Sequence, residues 1–128
     1  MTYNQNGYIV KRKKGGFNMK QSKPLLDSPM NYPAFLILLS LRNKSHGYEI
    51  MKYVNEATKG FVSIGPATMY RTIADFLKKD YIKLVSEEDS KKEYLITETG
   101  KQVLDEQIAF IQLINKLSVE GEIKNEKA

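Results

Sequence analysis

Cysteine does not occur in this chain of 128 residues. Its absence removes disulfide frameworks, thiolate metal sites and cysteine nucleophiles together. Tryptophan is absent too, and His46 is the single histidine. A histidine-based zinc site therefore lacks its ligands. Long apolar runs are also missing. The longest, Ala34 to Leu41, is interrupted by Ser40, whereas a membrane-spanning helix needs about 20 apolar residues. The basic N-terminus has no apolar stretch behind it, so no secretory signal is expected. These absences predict a cytoplasmic protein with no membrane partner. Phosphate-cradling glycine loops, nucleophile motifs and metal-ligand spacings do not appear. Glu87, Glu88 and Asp89 lack the spaced acids and central glycine of a calcium loop, and read as a solvated turn. No enzyme activity, cofactor or metal is expected.

What charge there is lies unevenly. The net charge is +5. Residues 1–32 contain Lys11, Arg12, Lys13, Lys14, Lys20 and Lys23 against Asp27 alone, and the rest of the chain sums to zero. Basic segments favour nucleic acid or anionic lipid. Residues 1–30 show no sustained period and read as a flexible basic tail, either simply solvated or tracking DNA through Lys11–Lys14. The remaining length suits one compact domain.

Periodicity then orders the elements. Pro33 opens a first helix, because proline is favoured at the first helical position. Phe35, Leu36, Ile37, Leu38, Leu39 and Leu41 make it apolar almost all round, so it needs cover on more than one side. Ser45 is placed to cap a second helix beginning at Gly47, with Glu49 in the first turn, where the helix dipole favours an acid. Tyr48, Ile50, Met51, Val54 and Ala57 give its stripe. After an extended link, Phe61 to Ile64, Gly65-Pro66 starts a third helix reaching Lys79. Met69, Ile73, Phe76 and Leu77 form its buried face, and Ala67, Thr68, Arg71, Thr72 and Asp75 its polar face. Residues 81–86 and 91–96 read as strands around a polar turn, a β-hairpin. Thr97 caps a last helix running to about Leu117, whose apolar positions exceed one stripe. Residues 118–128 read as a frayed tail.

The fold class is therefore mainly α with a small β-hairpin. Two short helices joined by a tight link, followed by a hairpin, describe a winged helix-turn-helix over residues 31–97. A long C-terminal dimerisation helix follows over 98–117. In that arrangement the third helix enters the DNA major groove and the hairpin is the wing.

Three segments carry a family resemblance. His46-Gly47-Tyr48-Glu49-Ile50, then Gly65-Pro66-Ala67-Thr68-Met69-Tyr70, then Lys92-Glu93-Tyr94-Leu95-Ile96-Thr97-Glu98-Thr99-Gly100 resemble the PadR family of bacterial regulators. Each is weak alone, and the three together, in order, are specific. The resemblance spans about residues 33–117. It implies a winged-helix homodimer that usually represses transcription and is joined through its first and last helices. It also points to the compact subfamily, some of whose members hold a flat ligand at the dimer seam beside a tryptophan. This chain has Ile111 about where that tryptophan would lie. Its wing has Lys91 and Lys92 in place of the family's glycines and arginines, and the N-terminal segment has no family counterpart.

The candidate DNA-binding residues follow. Ala67 and Thr68, short side chains in the first turn of the third helix, let its free N–H groups approach phosphate. The bland alternative is ordinary helix-start chemistry. Tyr70 is either core or a phosphate donor. Arg71 can reach a guanine edge with two hydrogen bonds, or is a solvated charge. Thr72 is a weaker candidate. Asp75 repels phosphate unless it is paired or aimed at a cytosine amine. Tyr48 and His46 begin the preceding helix, where His46 caps the turn or approaches phosphate. Lys91 and Lys92 suit backbone contacts that set salt dependence. The dimer interface is assigned to Phe35, Leu36, Leu39, Leu104, Ile108, Ile111 and Ile114. A candidate pocket for a small hydrophobic effector is lined by Phe110, Ile111 and Ile114. The expected partners are double-stranded DNA and a second copy of the chain. The rival reading is a winged-helix protein–protein interaction module without specific DNA contact, which the neutral charge beyond residue 32 favours.

Overall fold

The computed structural model describes residues 29–127. The proposed basic tail lies, apart from its last two residues, outside the described residues. The elements are α1 (Tyr32–Ser40), β1 (Ser45–His46), α2 (Gly47–Ala57), α3 (Pro66–Lys78), β2 (Ile82–Glu88), β3 (Lys91–Ile96) and α4 (Glu98–Lys127). The described residues fall into two compact units. One is Met30–Leu104, and the other begins at Asp105 within α4. The boundary thus falls inside the last helix rather than at its start, because Val103 and Leu104 are buried in the first unit's core.

Local chemistry explains the helix ends. The Asn31 side chain accepts from the Ala34 N–H at 2.8 Å, which starts α1 one residue before Pro33. Both α2 and α3 end in Schellman turns. After α3, the Asp80 N–H donates to Leu77 O (3.1 Å) and the Tyr81 N–H to Phe76 O (2.9 Å). Asp80 adopts φ 64°, a left-handed position tolerated by aspartate better than by most residues. The accompanying apolar contact is Phe76 against Tyr81, with ring centroids 5.6 Å apart. After α2, the corresponding bonds run from Lys59 to Glu56 and from Gly60 to Asn55. Thr58 braces the link by donating to Val54 O and accepting from the Val62 N–H.

The sheet is antiparallel, in the order β1-β3-β2. The hairpin turns on Asp89 and Ser90 alone, both at positive φ, as a two-residue turn matched to strand twist requires. β2 consequently continues to Glu88, beyond the expected end at residue 86, whereas β3 keeps the expected span 91–96. β2 bulges between Leu84 and Ser86. The third strand is a correction: Ser45 does not cap α2 but pairs with Tyr94, and His46 pairs with Glu93. His46 is the N-cap residue of α2, and its side chain makes no capping bond. The Ile96 N–H donates to Leu41 O at 2.8 Å, tying the end of β3 to the end of α1.

Ile37 and Leu38 of α1, Ile50 and Val54 of α2, Met69, Ile73 and Phe76 of α3, and Tyr81, Ile82 and Ile96 of the hairpin form one core. Each such side chain contributes about 1.5–3 kcal/mol by leaving water. Leu77 does not join them. It is 39% exposed, because α3 buries a single narrow stripe and position 77 falls at its edge. α4 also departs from expectation, since it continues to Lys127 where a frayed tail from residue 118 was predicted. Thr97 does cap it, its hydroxyl accepting from the Gly100 N–H at 3.0 Å.

Candidate nucleic-acid interface

α3 turns Met69, Ile73 and Phe76 inward, so helical geometry directs Ala67, Tyr70, Arg71 and Ala74 outward, and all four are exposed. Its start has no side-chain cap at Gly65, and Pro66 occupies the first turn. The first-turn N–H groups are therefore available to an anion. Thr68 and Thr72 are half-buried, and the Thr72 hydroxyl donates to Thr68 O at 2.9 Å. That bond turns Thr72 back onto its own helix. Asp75, which would repel phosphate, is held by Lys79 at 3.1 Å.

The start of α2 meets α3 at Gly47. A β-carbon there would lie 2.8 Å from Met69 Cε and 2.9 Å from Tyr70 Oη. The missing side chain leaves room for the Tyr70 hydroxyl end against Gly47 in the first turn of α2. Tyr70 stays 57% exposed, so it is not a core residue although its hydroxyl end lies against Gly47. Tyr48, which follows Gly47, is exposed too. His46 is half-buried, with Nε2 3.6 Å from Glu49 Oε1. Its side chain is thus engaged by its own helix.

Tyr94 of β3, which pairs with Ser45 and Leu84, was not among the candidates and is buried. Burial raises its hydroxyl above the ordinary tyrosine value of 10.0, and Tyr70 and Glu87 push in the same direction. Tyr94 is therefore neutral in the folded protein at pH values where an unfolded chain begins to ionise. The stability this contributes is complete below about pH 10 and is lost as pH rises above it. Between about pH 9 and about pH 11, Tyr94→Phe should lose less thermal stability than the wild type. Equal losses in calorimetric melts would show that Tyr94 is not the group responsible.

The wing lysines are exposed, but each stands opposite an acid: Lys92 faces Glu87 and Lys91 faces Glu88 across the hairpin. Lys44 is likewise 3.7 Å from Glu93. Of the dimer candidates, Phe35, Leu36, Leu39 and Ile108 are half-buried, and Ile111 and Ile114 are exposed. Leu104 is a correction. It is 3% exposed, because the first turns of α4 complete the winged unit's own core, so it has no surface to offer a partner. Phe110, Ile111 and Ile114 lie exposed on one helix and cannot enclose a ligand without a second chain. Among the described residues no group of three or more His, Cys, Asp or Glu could hold a metal ion, and no helix is long and apolar enough to cross a membrane.

The chain resembles known proteins over this same region. Residues 36–106 match the model of the Transcriptional regulator PadR-like family. A transcriptional regulator of Escherichia coli, YqjI, is 31% identical over 83 residues, which are 63% of this chain and 40% of that protein. The chain thus spans about two fifths of that curated relative's length. Among solved structures, a transcriptional regulator from Clostridium thermocellum superposes with a TM-score of 0.63 at 28% identity, covering 70% of this chain and 88% of that one. A PadR family transcription regulator from Clostridium difficile gives 0.60 at 28%, covering 70% and 97%. Bacillus subtilis PadR in complex with operator DNA gives 0.55 at 27%, covering 63% and 48%.

Proposed function

The chain belongs to the Transcriptional regulator PadR-like family, whose members are DNA-binding regulators and not enzymes, and on that premise we propose that it binds a specific operator as a homodimer and represses transcription. The observation that carries this reading is the outward face of α3. An uncapped helix start, the short Ala67 and the exposed Tyr70 and Arg71 share one surface, opposite the core stripe. A helix of this kind presents N–H groups to phosphate and a guanidinium to base edges. The relative solved on operator DNA supports the same partner class.

The dimer is supported by α4. Phe110, Ile114 and Leu117 follow at helical spacing, and with Ile111 and Leu113 they leave a stripe of large apolar side chains in water. Such a stripe calls for cover, and a second α4 has the matching stripe. Two recognition helices related by a two-fold axis require half-sites about one DNA turn apart. A small hydrophobic effector is proposed to bind at that seam, between the Phe110, Ile111 and Ile114 side chains of the two copies. It would act only by favouring one of the DNA-competent and DNA-incompetent states.

Selection of the purified protein against random-sequence duplex at two salt concentrations tests the reading. The expected result is an enriched inverted repeat, which then serves to screen hydrophobic compounds for operator release. Enrichment of a single half-site would contradict the dimer geometry, and no releasing compound would remove the effector. The protein-interaction reading has one observation behind it, the neutral charge of the chain beyond residue 32. It predicts no enriched sequence at all.

A further inference from the structure

The side of α3 that faces away from the core carries short side chains around long ones. Ala67, Arg71, Ala74 and Lys78 recur at intervals of four, three and four residues, and all four are exposed. At 3.6 residues per turn this stripe runs almost diametrically opposite the buried Met69, Ile73 and Phe76. Polar groups beside the stripe are already engaged. The Thr72 hydroxyl donates to Thr68 O at 2.9 Å, and Asp75 is paired with Lys79 at 3.1 Å. On the stripe between Arg71 and Lys78, the outermost group is the methyl of Ala74.

A methyl facing the major groove has one matching partner there, the C5-methyl of thymine. The polar base edges in that groove are hydrogen-bond donors and acceptors, and a methyl laid over one removes its water and returns nothing. The dimensions permit the contact. A helix with its side chains is about 10–12 Å across, and the groove is about 12 Å wide and about 8.5 Å deep. The short side chains at 67 and 74 let the backbone of α3 approach the floor of the groove, while the long side chain of Arg71 can lie along it.

Resting on the DNA-regulator reading above, we propose that Ala74 is a specificity-determining residue, whose methyl packs on the C5-methyl of a thymine close to the guanine bound by Arg71. Residues 71 and 74 are about 4.5 Å apart along the helix axis, and successive base pairs are about 3.4 Å apart along the duplex. The thymine therefore lies within about two base pairs of that guanine. Arg71 identifies its base by hydrogen bonds, and Ala74 adds a neighbouring base recognised by apolar contact alone. Ala67 stands about 10 Å away at the start of the helix, where its small size serves the approach of the first-turn N–H groups to phosphate.

The test uses the full-length protein and the operator enriched by the selection described above. Each thymine of the half-site is replaced in turn by deoxyuridine, in both half-sites together. This removes the C5-methyl and keeps every hydrogen-bonding group. Losing one buried methyl costs about fourfold in affinity, and a two-fold complex makes the contact twice. The wild type should therefore lose on the order of tenfold at one thymine. In Ala74→Gly the same replacement should cost nothing, while the other replacements cost what they cost the wild type. Glycine also weakens the helix, which lowers affinity for both duplexes alike, so the ratio of thymine to uracil affinity is the readout. Ala74→Gln keeps a good helix former and removes the apolar contact, and it should lose the same discrimination. An operator insensitive to uracil at every position would overturn the proposal and leave the regulator reading standing. A ratio unchanged in both variants would overturn it too and leave Ala74 as a helix former only. Loss of the ratio in Ala67→Gly instead would overturn it by moving the methyl contact to the first turn. Failure of the wild type to enrich any operator would refute the regulator reading and this proposal together.

Discussion

Gly100→Ala lowers the melting temperature by on the order of 10 °C, although on an open helix surface the same change would raise it. Alanine is better than glycine within a helix by about 1 kcal/mol. Here a β-carbon would overlap the Tyr81 carbonyl oxygen and lie 2.7 Å from Ile96 Cγ1. The carbonyl cannot swing aside. It accepts from the Thr97 N–H at 2.9 Å, the Tyr81 N–H is held by Phe76 O, and the Thr97 hydroxyl donates to Asp80 O. The end of α3, the start of β2 and the cap of α4 are one hydrogen-bonded junction, and a methyl group wedged into it must move a backbone. Overpacking of this kind costs typically 1–3 kcal/mol and sometimes more, so a net loss of about 2 kcal/mol is expected, which for a domain of this size corresponds to the stated shift. Gly65→Ala is the control. A β-carbon there meets nothing within 4 Å, and the variant should melt within a few degrees of the wild type. Calorimetry on the three proteins decides it: an unchanged or raised melting temperature for Gly100→Ala would mean that the junction relaxes freely.

Arg71→Ala weakens operator binding by about 30-fold to 10⁴-fold. A bidentate arginine–guanine contact is worth about 1–3 kcal/mol, a two-fold complex uses it twice, and each 1.4 kcal/mol is tenfold. The side chain is exposed on α3, so folding and dimerisation should be unaffected. The variant should also tolerate substitution at the base pair that the wild type reads. Lys92→Ala should behave differently, losing only a few-fold of affinity, equally on all duplexes, with a shallower salt dependence. Wild-type affinity in Arg71→Ala, measured on the selected operator, would remove Arg71 from the interface. It would leave the first turn of α3 and Tyr70 to carry recognition.

The sequence by itself determined the order of helices and hairpin, which face of α3 is buried and the capping of α4 by Thr97. Each of these depends on a local signal. The stripe Met69, Ile73 and Phe76 repeats at helical spacing, Pro66 marks a first turn, and Thr97 precedes Gly100 by the three residues a cap requires. Only the tertiary structure decided what depends on distant neighbours. Ser45 has the chemistry of a cap, yet its backbone pairs with Tyr94, and no local pattern reports a partner that far along the chain. Leu104 repeats with the apolar face of α4 but is used by the winged unit's own core, and the exposed apolar side chains of α4 begin only at Phe110. Tyr70 divides its surface between packing and solvent only because Gly47 lies against it. The wing lysines are basic in composition, and the hairpin register sets an acid opposite each. Periodicity specifies which side of an element is apolar. Which atoms then meet across elements is fixed by close packing and strand register, which depend on the whole fold.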